Sequence, residues 1–210
     1  MTGIIFDNYR IWLEDQKIPN GQKKTLLAGL DLFAKQGYDG TSTAQIAEYA
    51  GVSQATIFKY FKTKQDLLVA IIGPVMQNFF PLYRDDFLAK LKEFKTLREF
   101  VHFFVQNRYK FAKDNEDAVM ILMTQVLVSP QVRKLIIDTL KRSDRSIPNE
   151  VGQILKNTGE IRSDLDEVTL VRTLIGSIGS YLIQSRFLGV KDEQHDLRLI
   201  EEQIISFLKK

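Results

Sequence analysis

The chain has 210 residues, contains no cysteine and carries a formal net charge of +3. The lack of cysteine excludes disulfides, thiolate chemistry and cysteine-ligated zinc. A hydrophobic fraction of 44% is ample for a packed core, and a charged fraction of 26% is ordinary for a soluble protein.

Apolar residues recur at helical spacing along nearly the whole chain, so the sequence predicts an all-α fold with almost no strand. Near the N-terminus, Ile5, Tyr9 and Trp12 are spaced four and three residues apart. This spacing fits either a short amphipathic helix or a loosely docked tail. The next predicted helix covers residues 22–35, and Gly37 ends it.

Two short helices are then predicted, over residues 43–50 and 54–61, and a longer one runs from Lys64 towards Phe80. The composition changes beyond Gly73 and Pro74 and becomes rich in aromatic residues. Further helices are predicted over residues 96–113, 116–128, 130–143, 149–157, 167–188 and 193–208.

The segment between Thr41 and Lys64 has the spacing of a helix-turn-helix. Gly51 stands where the first helix must end in a left-handed conformation, which glycine adopts at little cost. Ser53 follows as an N-cap for the second helix, and Ala47 is small enough for the two helices to cross closely. The apolar residues expected to fix the two helices together are Ile46, Val52 and Ile57. Such a pair of helices is typical of proteins that insert one helix into the major groove of DNA.

The positive charge is concentrated around this segment. Residues 17–64 contain seven lysines against three acidic residues, a net charge of +4. Phosphate contacts require such an excess, although a solvated lysine-bearing face would show the same composition.

Residues 23–68 resemble the DNA-binding domain of the TetR family of transcriptional regulators. The matching residues are Ala34, Gly37, Thr43, Ile46, Ala47, the run from Ala50 to Ser53, the run from Thr56 to Phe61, Lys64, Leu67 and Leu68. Phe58 departs from the family, which usually has tyrosine at this position. The missing hydroxyl predicts that Phe58 packs rather than binds phosphate.

The candidate DNA-binding residues divide into two groups by chemistry. Base edges are within the chemical reach of Gln54, Ala55, Thr56 and Lys59, because amide, methyl and ammonium groups match adenine, thymine and guanine respectively. Phosphate contacts are predicted for Thr43, Tyr60 and Lys64, and the resemblance implies the same three residues. Lys64 also begins a helix, which is unfavourable for a cation unless a phosphate lies nearby. Ser53 is expected to cap its helix, to contact phosphate, or to do both.

Recognition of a useful length of DNA takes two such helix-turn-helix units. The mechanism therefore predicts a homodimer on a palindromic operator in double-stranded DNA. The candidate interface is formed by the last two helices, and the resemblance implies the same pairing. Its apolar residues are Leu170, Leu174, Ile178, Leu182, Leu197, Ile200, Ile204 and Phe207, and its small residues are Gly176, Ser177, Gly179 and Ser180. The alternative is that these faces form only the core of a single chain.

The aromatic-rich middle of the chain is the candidate site for a small-molecule effector, which the sequence does not identify. The resemblance, rather than the composition, implies a pocket in this region. Its predicted lining is Phe79, Phe80, Tyr83, His102, Phe103, Gln106, Tyr109, Met120, Met123 and Gln125. The alternative is that these side chains belong to an ordinary core.

These observations predict three segments: an N-terminal extension (1–19), a three-helix helix-turn-helix DNA-binding domain (20–66) and a larger helical effector-binding and dimerisation domain (67–210). The expected function is that of a ligand-responsive transcriptional repressor released from its operator by a small apolar or amphipathic molecule. A regulator of the same fold that answers to a protein partner remains an alternative, and a helical enzyme or carrier is a further one.

No catalytic constellation, phosphate-binding loop, metal site or cofactor is predicted, so we expect a protein that is not an enzyme. No run approaches about 18 apolar residues, and the N-terminus lacks the pattern of a signal peptide. We therefore expect a cytoplasmic protein with no membrane partner.

Overall fold

The computed structural model describes residues 5–142 and 147–210, without the side chain of Arg142. In this part of the chain the regular elements are helices, apart from one isolated bridge between Ile161 and Lys209. The all-α prediction is therefore confirmed. The described residues form two compact units, which we call unit 1 (5–83 and 115–142) and unit 2 (84–114 and 147–210).

The helices are close to their predicted bounds, with one exception described below. In chain order they are α1 (Ile5–Glu14), α2 (Asn20–Gln36), α3 (Thr43–Ala50), α4 (Gln54–Tyr60), α5 (Lys64–Pro74), α6 (Phe80–Leu91), α7 (Leu97–Asp114), α8 (Glu116–Val128), α9 (Pro130–Arg142), α10 (Ile147–Asn157), α11 (Glu167–Leu188) and α12 (Glu193–Leu208). The helix predicted over 130–143 ends at Ser143, which lies outside the described residues.

The first nineteen residues contain a packed helix rather than a loose tail. Ile5 and Tyr9 of α1 are buried, as the amphipathic spacing predicts. The backbone N–H of Ile5 donates to Oδ1 of Asn115 at 2.6 Å, and Arg10 pairs with Asp31 of α2 at 2.6 Å. Helix α1 is therefore part of unit 1.

The helix predicted from Lys64 to Phe80 changes register at Pro74. Proline has no N–H to continue the α-helical hydrogen bonds. A π-helical turn, Val75–Phe79, follows it, and the N–H of Phe80 donates to the carbonyl of Val75. Helix α6 then begins at Phe80. Helix α6 is not predicted from the sequence because a π turn rotates the apolar stripe, so the 3.6-residue period does not continue across it.

One helical stretch in the described residues, Lys64–Leu91, is long and apolar enough to cross a membrane by length and composition alone. About half of its most apolar window, 44%, is buried inside the protein. A further candidate arises only if α8 and α9, which are bent by 109°, are taken together. Buried core helices of soluble proteins give the same signal.

Unit 2 is built around α7, which packs against α11 and α12. Phe100 and Leu97 of α7 are fully buried, as are Leu170 and Leu174 of α11. Glu201 of α12 is also buried, and its carboxylate accepts hydrogen bonds from the side chains of α7 described below.

Candidate nucleic-acid interface

The turn between α3 and α4 has the geometry that the sequence predicts. Gly51 ends α3 with φ 64° and ψ 39°, in the left-handed region. Oγ of Ser53 accepts a hydrogen bond from the N–H of Thr56 at 3.1 Å and so caps α4. A capping box of Ser42 and Gln45 begins α3, which the serine and the glutamine three residues apart could have revealed in the sequence.

Buried side chains fix the crossing of the two helices. Ile46 of α3 and Ile57 of α4 are 0% and 1% exposed, and Ala47 is buried beside them. Val52, in the turn, is half-buried. The predicted apolar contact therefore rests on Ile46 and Ile57, and α4 has little freedom to change its angle.

Most of the predicted base-reading residues are on the outer face of α4. Gln54, Ala55 and Lys59 are exposed, whereas Thr56 is half-buried. The Thr56 methyl group lies against Gly21 of α2, where an added Cβ would come within 3.1 Å of it. Base contacts are thus sterically open to three of the four residues, and Thr56 has a packing contact of its own.

The prediction that Phe58 packs is wrong, because its side chain is 41% exposed on α4. Ile57 and Phe58 are neighbours on α4 and so point about 100° apart, and it is the side of Ile57 that is buried. Phe58 therefore presents an apolar ring on the same helix as Gln54 and Lys59.

Replacing Phe58 with tyrosine is expected to tighten DNA binding about threefold to tenfold, because an exposed hydroxyl gains a phosphate contact without any cost of burial. The gain should be equal on different DNA sequences, since phosphates carry no sequence information. Fluorescence anisotropy would measure it, with Phe58→Leu as the control that offers no donor. No gain with Phe58→Tyr would mean that position 58 lies away from the backbone of DNA.

The predicted phosphate-binding residues lie at the ends of three helices. Thr43 is the first residue of α3, Tyr60 is the last of α4 and Lys64 is the first of α5, and all three are half-buried. The Tyr60 ring is close to Gly21 near the start of α2. Helix α2 follows Pro19 and has no side-chain cap, so its first N–H groups are open to an acceptor.

Lys64 also has a structural role that its position in the sequence does not indicate. Its Nζ donates to the carbonyl oxygens of Tyr38 and Thr41 at 2.8 and 2.9 Å and lies 4.0 Å from the centre of the Tyr38 ring. Thr63 and Asp66 form a capping box at the start of the same helix. The unfavourable position of a cation at a helix N-terminus is therefore compensated within the protein, and one N–H of the ammonium remains for a phosphate.

A chain of hydrogen bonds runs from Tyr38, which contacts Lys64, to α9. Oη of Tyr38 donates to Oε1 of Gln65 at 2.8 Å, and Nε2 of Gln65 donates to Oγ of Ser129 at 2.8 Å. Ser129 is buried and accepts the N–H of Val132 at the start of α9. The helix-turn-helix and residues 115–142 are thus joined by polar contacts inside unit 1.

The residues predicted to bind an effector are divided between the two units. Unit 1 contains Phe79, Phe80, Tyr83, Met120, Met123 and Gln125, and unit 2 contains His102, Phe103, Gln106 and Tyr109. In unit 1, Gln125 is 1% exposed, and its Oε1 has no hydrogen-bond partner among the described residues. An apolar cavity in unit 1 is lined in part by Ala118, Ile121 and Leu122, which precede Gln125 on α8. The volume of this cavity is only about 10 Å³.

In unit 2, three of these polar residues link α7 to α12. Nδ1 of His102 and Nε2 of Gln106 lie 3.0 and 2.8 Å from the carboxylate oxygens of Glu201. Oη of Tyr109 donates to Glu193 at 3.0 Å. Lys113 and Tyr109 both bind Glu193, and these contacts hold the pKa of its carboxyl below the usual range, against the opposing effect of burial.

The apolar stripe named for the dimer interface is mostly the core of the chain itself. Leu170, Leu174, Ile178, Leu197 and Ile204 are buried in one cluster with α7, Leu182 and Ile200 pack against it, and only Phe207 is exposed. Most of the residues predicted for the interface are therefore core residues. Helices α11 and α12 each carry a second apolar face as well. The exposed residues of these second faces are Val168, Ile175, Ile183, Phe187, Leu199 and Phe207.

Small residues lie on that second face of α11. A Cβ added to Gly176 or Gly179 would meet no atom within 4 Å, so another helix has room to approach there. Ser177, Ser180 and Gln203 line a groove of about 280 Å³ between α11 and α12. The sequence could not distinguish the two faces, because both have apolar residues at helical spacing.

This fold, with an exposed helix held rigidly after a left-handed glycine turn, defines the chain as a helix-turn-helix DNA-binding protein. The profile of the bacterial regulatory proteins of the tetR family matches residues 26–71. The fatty acid metabolism regulator protein of Bacillus subtilis is 23% identical to this chain over 182 residues. The match covers 86% of this chain and 90% of that protein. The segment that contains α3 and α4 is therefore similar to the DNA-binding domain of the tetR family of bacterial regulatory proteins.

Solved structures support the same fold over nearly the whole chain. The transcriptional regulator FadR of Bacillus subtilis, in complex with stearoyl-CoA, matches with a TM-score of 0.60 and 21% identity over 89% of this chain and 97% of that one. A protein of Saccharomonospora viridis in complex with choline matches with a TM-score of 0.60 and 22% identity over 89% and 94%.

Proposed function

We propose that the protein is a homodimeric transcriptional repressor that leaves a palindromic operator when a small apolar or amphipathic effector binds. The observation that carries this proposal is the exposure of Gln54, Ala55 and Lys59 on α4, which Ile46 and Ile57 hold at a fixed angle. Such a protein acts where the DNA is, in the cytoplasm.

On the operator, α4 enters the major groove. Gln54 and Lys59 read bases through hydrogen bonds, and Ala55 contacts a thymine methyl group. Thr43, Ser53, Tyr60 and Lys64 hold the phosphate backbone on either side. Replacing Tyr60 then weakens binding on every sequence, whereas replacing Gln54 changes the sequence preference.

Two copies pair through the second face of α11 and α12. Ile175 and Ile183 are exposed on α11 with Gly176 and Gly179 between them, so two helices can pack closely there. A two-fold axis brings each residue of this face near its own copy.

Replacing Ile175 with glutamate is therefore expected to weaken the dimer about a hundredfold, since the two new charges lie close together across the axis. Light scattering after gel filtration would measure the mass at several concentrations. Ile11→Glu is the matched control, because Ile11 is 64% exposed on α1. Equal masses for both variants at all concentrations would place the interface elsewhere.

The effector acts by preferring one of two arrangements of the DNA-reading heads, since a ligand with equal affinity for both shifts nothing. Stearoyl-CoA bound to the Bacillus subtilis structure and choline bound to the Saccharomonospora viridis structure indicate that proteins of this fold accept chemically different ligands. The acyl chain of the first supports an amphipathic effector here.

The direct test is a gel shift of the purified protein on DNA flanking its own gene. We expect palindrome-dependent binding that weakens steeply as salt rises, because phosphate contacts release counterions. Binding that ignores either the palindrome or the salt concentration would refute the proposal.

A further inference from the structure

Arg108 is a cation on the inner side of α7. It lies four residues after Phe104 and eight after Phe100, both of which are buried, so the three share one stripe of the helix. Cζ of Arg108 is 3.7 Å from the centre of the Phe87 ring on α6 and 4.9 Å from that of Phe111. The guanidinium therefore extends a cluster of phenylalanine rings.

No carboxylate in the described part of the chain pairs with this guanidinium. Its Nε and Nη2 donate to one acceptor, Oδ1 of the neighbouring Asn107, with Nε at 3.1 Å. Burial lowers the pKa of Arg108 to about 10, and the charge of Asp86 opposes this effect. Asp86 itself pairs with Lys90 at 3.2 Å.

A half-buried cation ordinarily has a carboxylate partner, and Arg108 has none among the described residues. Guanidinium has five N–H donors, and three of those on Arg108 have no protein acceptor among the described residues. Contact with an aromatic face compensates only part of the cost of removing a cation from water. A planar fork of free N–H groups matches a carboxylate or a phosphate.

We propose that Arg108 binds the anionic group of the effector, which is an amphipathic molecule with a carboxylate or phosphate head and an apolar chain. This inference rests on the proposed effector-responsive function and specifies its ligand. Half-buried Phe103 and Phe111 lie at the same cluster and provide apolar surface for the chain. A cationic ligand would be repelled by the same guanidinium.

Four probes with the same twelve-carbon chain test the charge of the ligand: dodecanoate, dodecyl phosphate, dodecanol and dodecyltrimethylammonium. Calorimetry with the full chain, below the micelle concentrations, should show one or both anions binding about tenfold to a hundredfold more tightly than dodecanol. The stronger anion identifies the head group as carboxylate or phosphate. Equal binding of dodecanol and both anions, or no binding of either anion, would overturn the proposal.

Variants test whether Arg108 is responsible. Arg108→Gln should remove the preference for the anions over dodecanol, and Arg108→Lys should retain part of it. Arg98→Gln is the matched control, because Arg98 is exposed on the same helix. A merely structural arginine would lower the melting temperature and leave the preference intact, which would overturn the proposal. If Arg108→Gln does not fold, Arg108→Lys and the four probes still decide it.

Failure of this inference can be told apart from failure of the proposed function. Loss of palindrome-dependent DNA binding concerns the function alone. A protein that binds its operator and releases it with dodecanol as readily as with dodecanoate is an effector-responsive regulator whose ligand is not recognised through Arg108.

Discussion

Replacing Ile46 with alanine is expected to destabilise unit 1 by about 2–5 kcal/mol, because the side chain is fully buried between α3 and α4 and its loss leaves a cavity. DNA affinity should fall with it, since the angle of α4 depends on this contact. Trp12, the one tryptophan of the chain, is in α1, so its fluorescence during urea unfolding reports on unit 1.

The matched control is Ile11→Ala, because Ile11 is 64% exposed in the same unit. We expect its free energy of unfolding to change by less than about 0.5 kcal/mol. If Ile46→Ala were as stable as Ile11→Ala, the two helices of the DNA-binding motif would not be held by the contact described above.

Replacing Lys64 with methionine is expected to lower both the stability of unit 1 and its affinity for DNA. The ammonium donates to two backbone carbonyls in the link between α2 and α3, and losing these charge-assisted bonds costs about 1.5–3 kcal/mol. The remaining N–H is proposed to bind phosphate, so the slope of log affinity against log salt should fall by about 0.9.

Lys59→Met separates the two effects. Lys59 is exposed on α4 and forms no hydrogen bond with the described residues, so its loss should leave stability within about 0.5 kcal/mol of the parent while DNA binding weakens and its sequence preference changes. Urea unfolding and anisotropy on the same samples give both quantities. Equal stability of the two variants would show that the carbonyl contacts of Lys64 contribute nothing.

Local chemistry explains which features the sequence predicted. The left-handed turn at Gly51 and the cap at Ser53 depend on residues within a few positions of each other, and both are present as expected. Helices α3, α11 and α12 begin at capping side chains and end close to where the apolar spacing places their ends, for the same reason.

Features that depend on tertiary packing could not be read in this way. Lys64 reaches carbonyls more than twenty residues earlier in the chain, and the sequence shows only its position at a helix start. The apolar stripes of α11 and α12 were predicted correctly as stripes, but which one faces α7 depends on the packing of the whole unit. The polar groups of His102 and Gln106 likewise depend on Glu201, almost a hundred residues away.

The composition of unit 1 has a consequence for the order of events during synthesis. Residues 5–83 leave the ribosome before α8 and α9, yet these two helices belong to the same unit and pack on α2 and α5 respectively. The parts of α2 and α5 that α8 and α9 cover therefore stay exposed until these two helices have emerged. A nascent chain halted before α8 should bind chaperones and resist cleavage poorly, and the helix-turn-helix should become active only once α9 has been made.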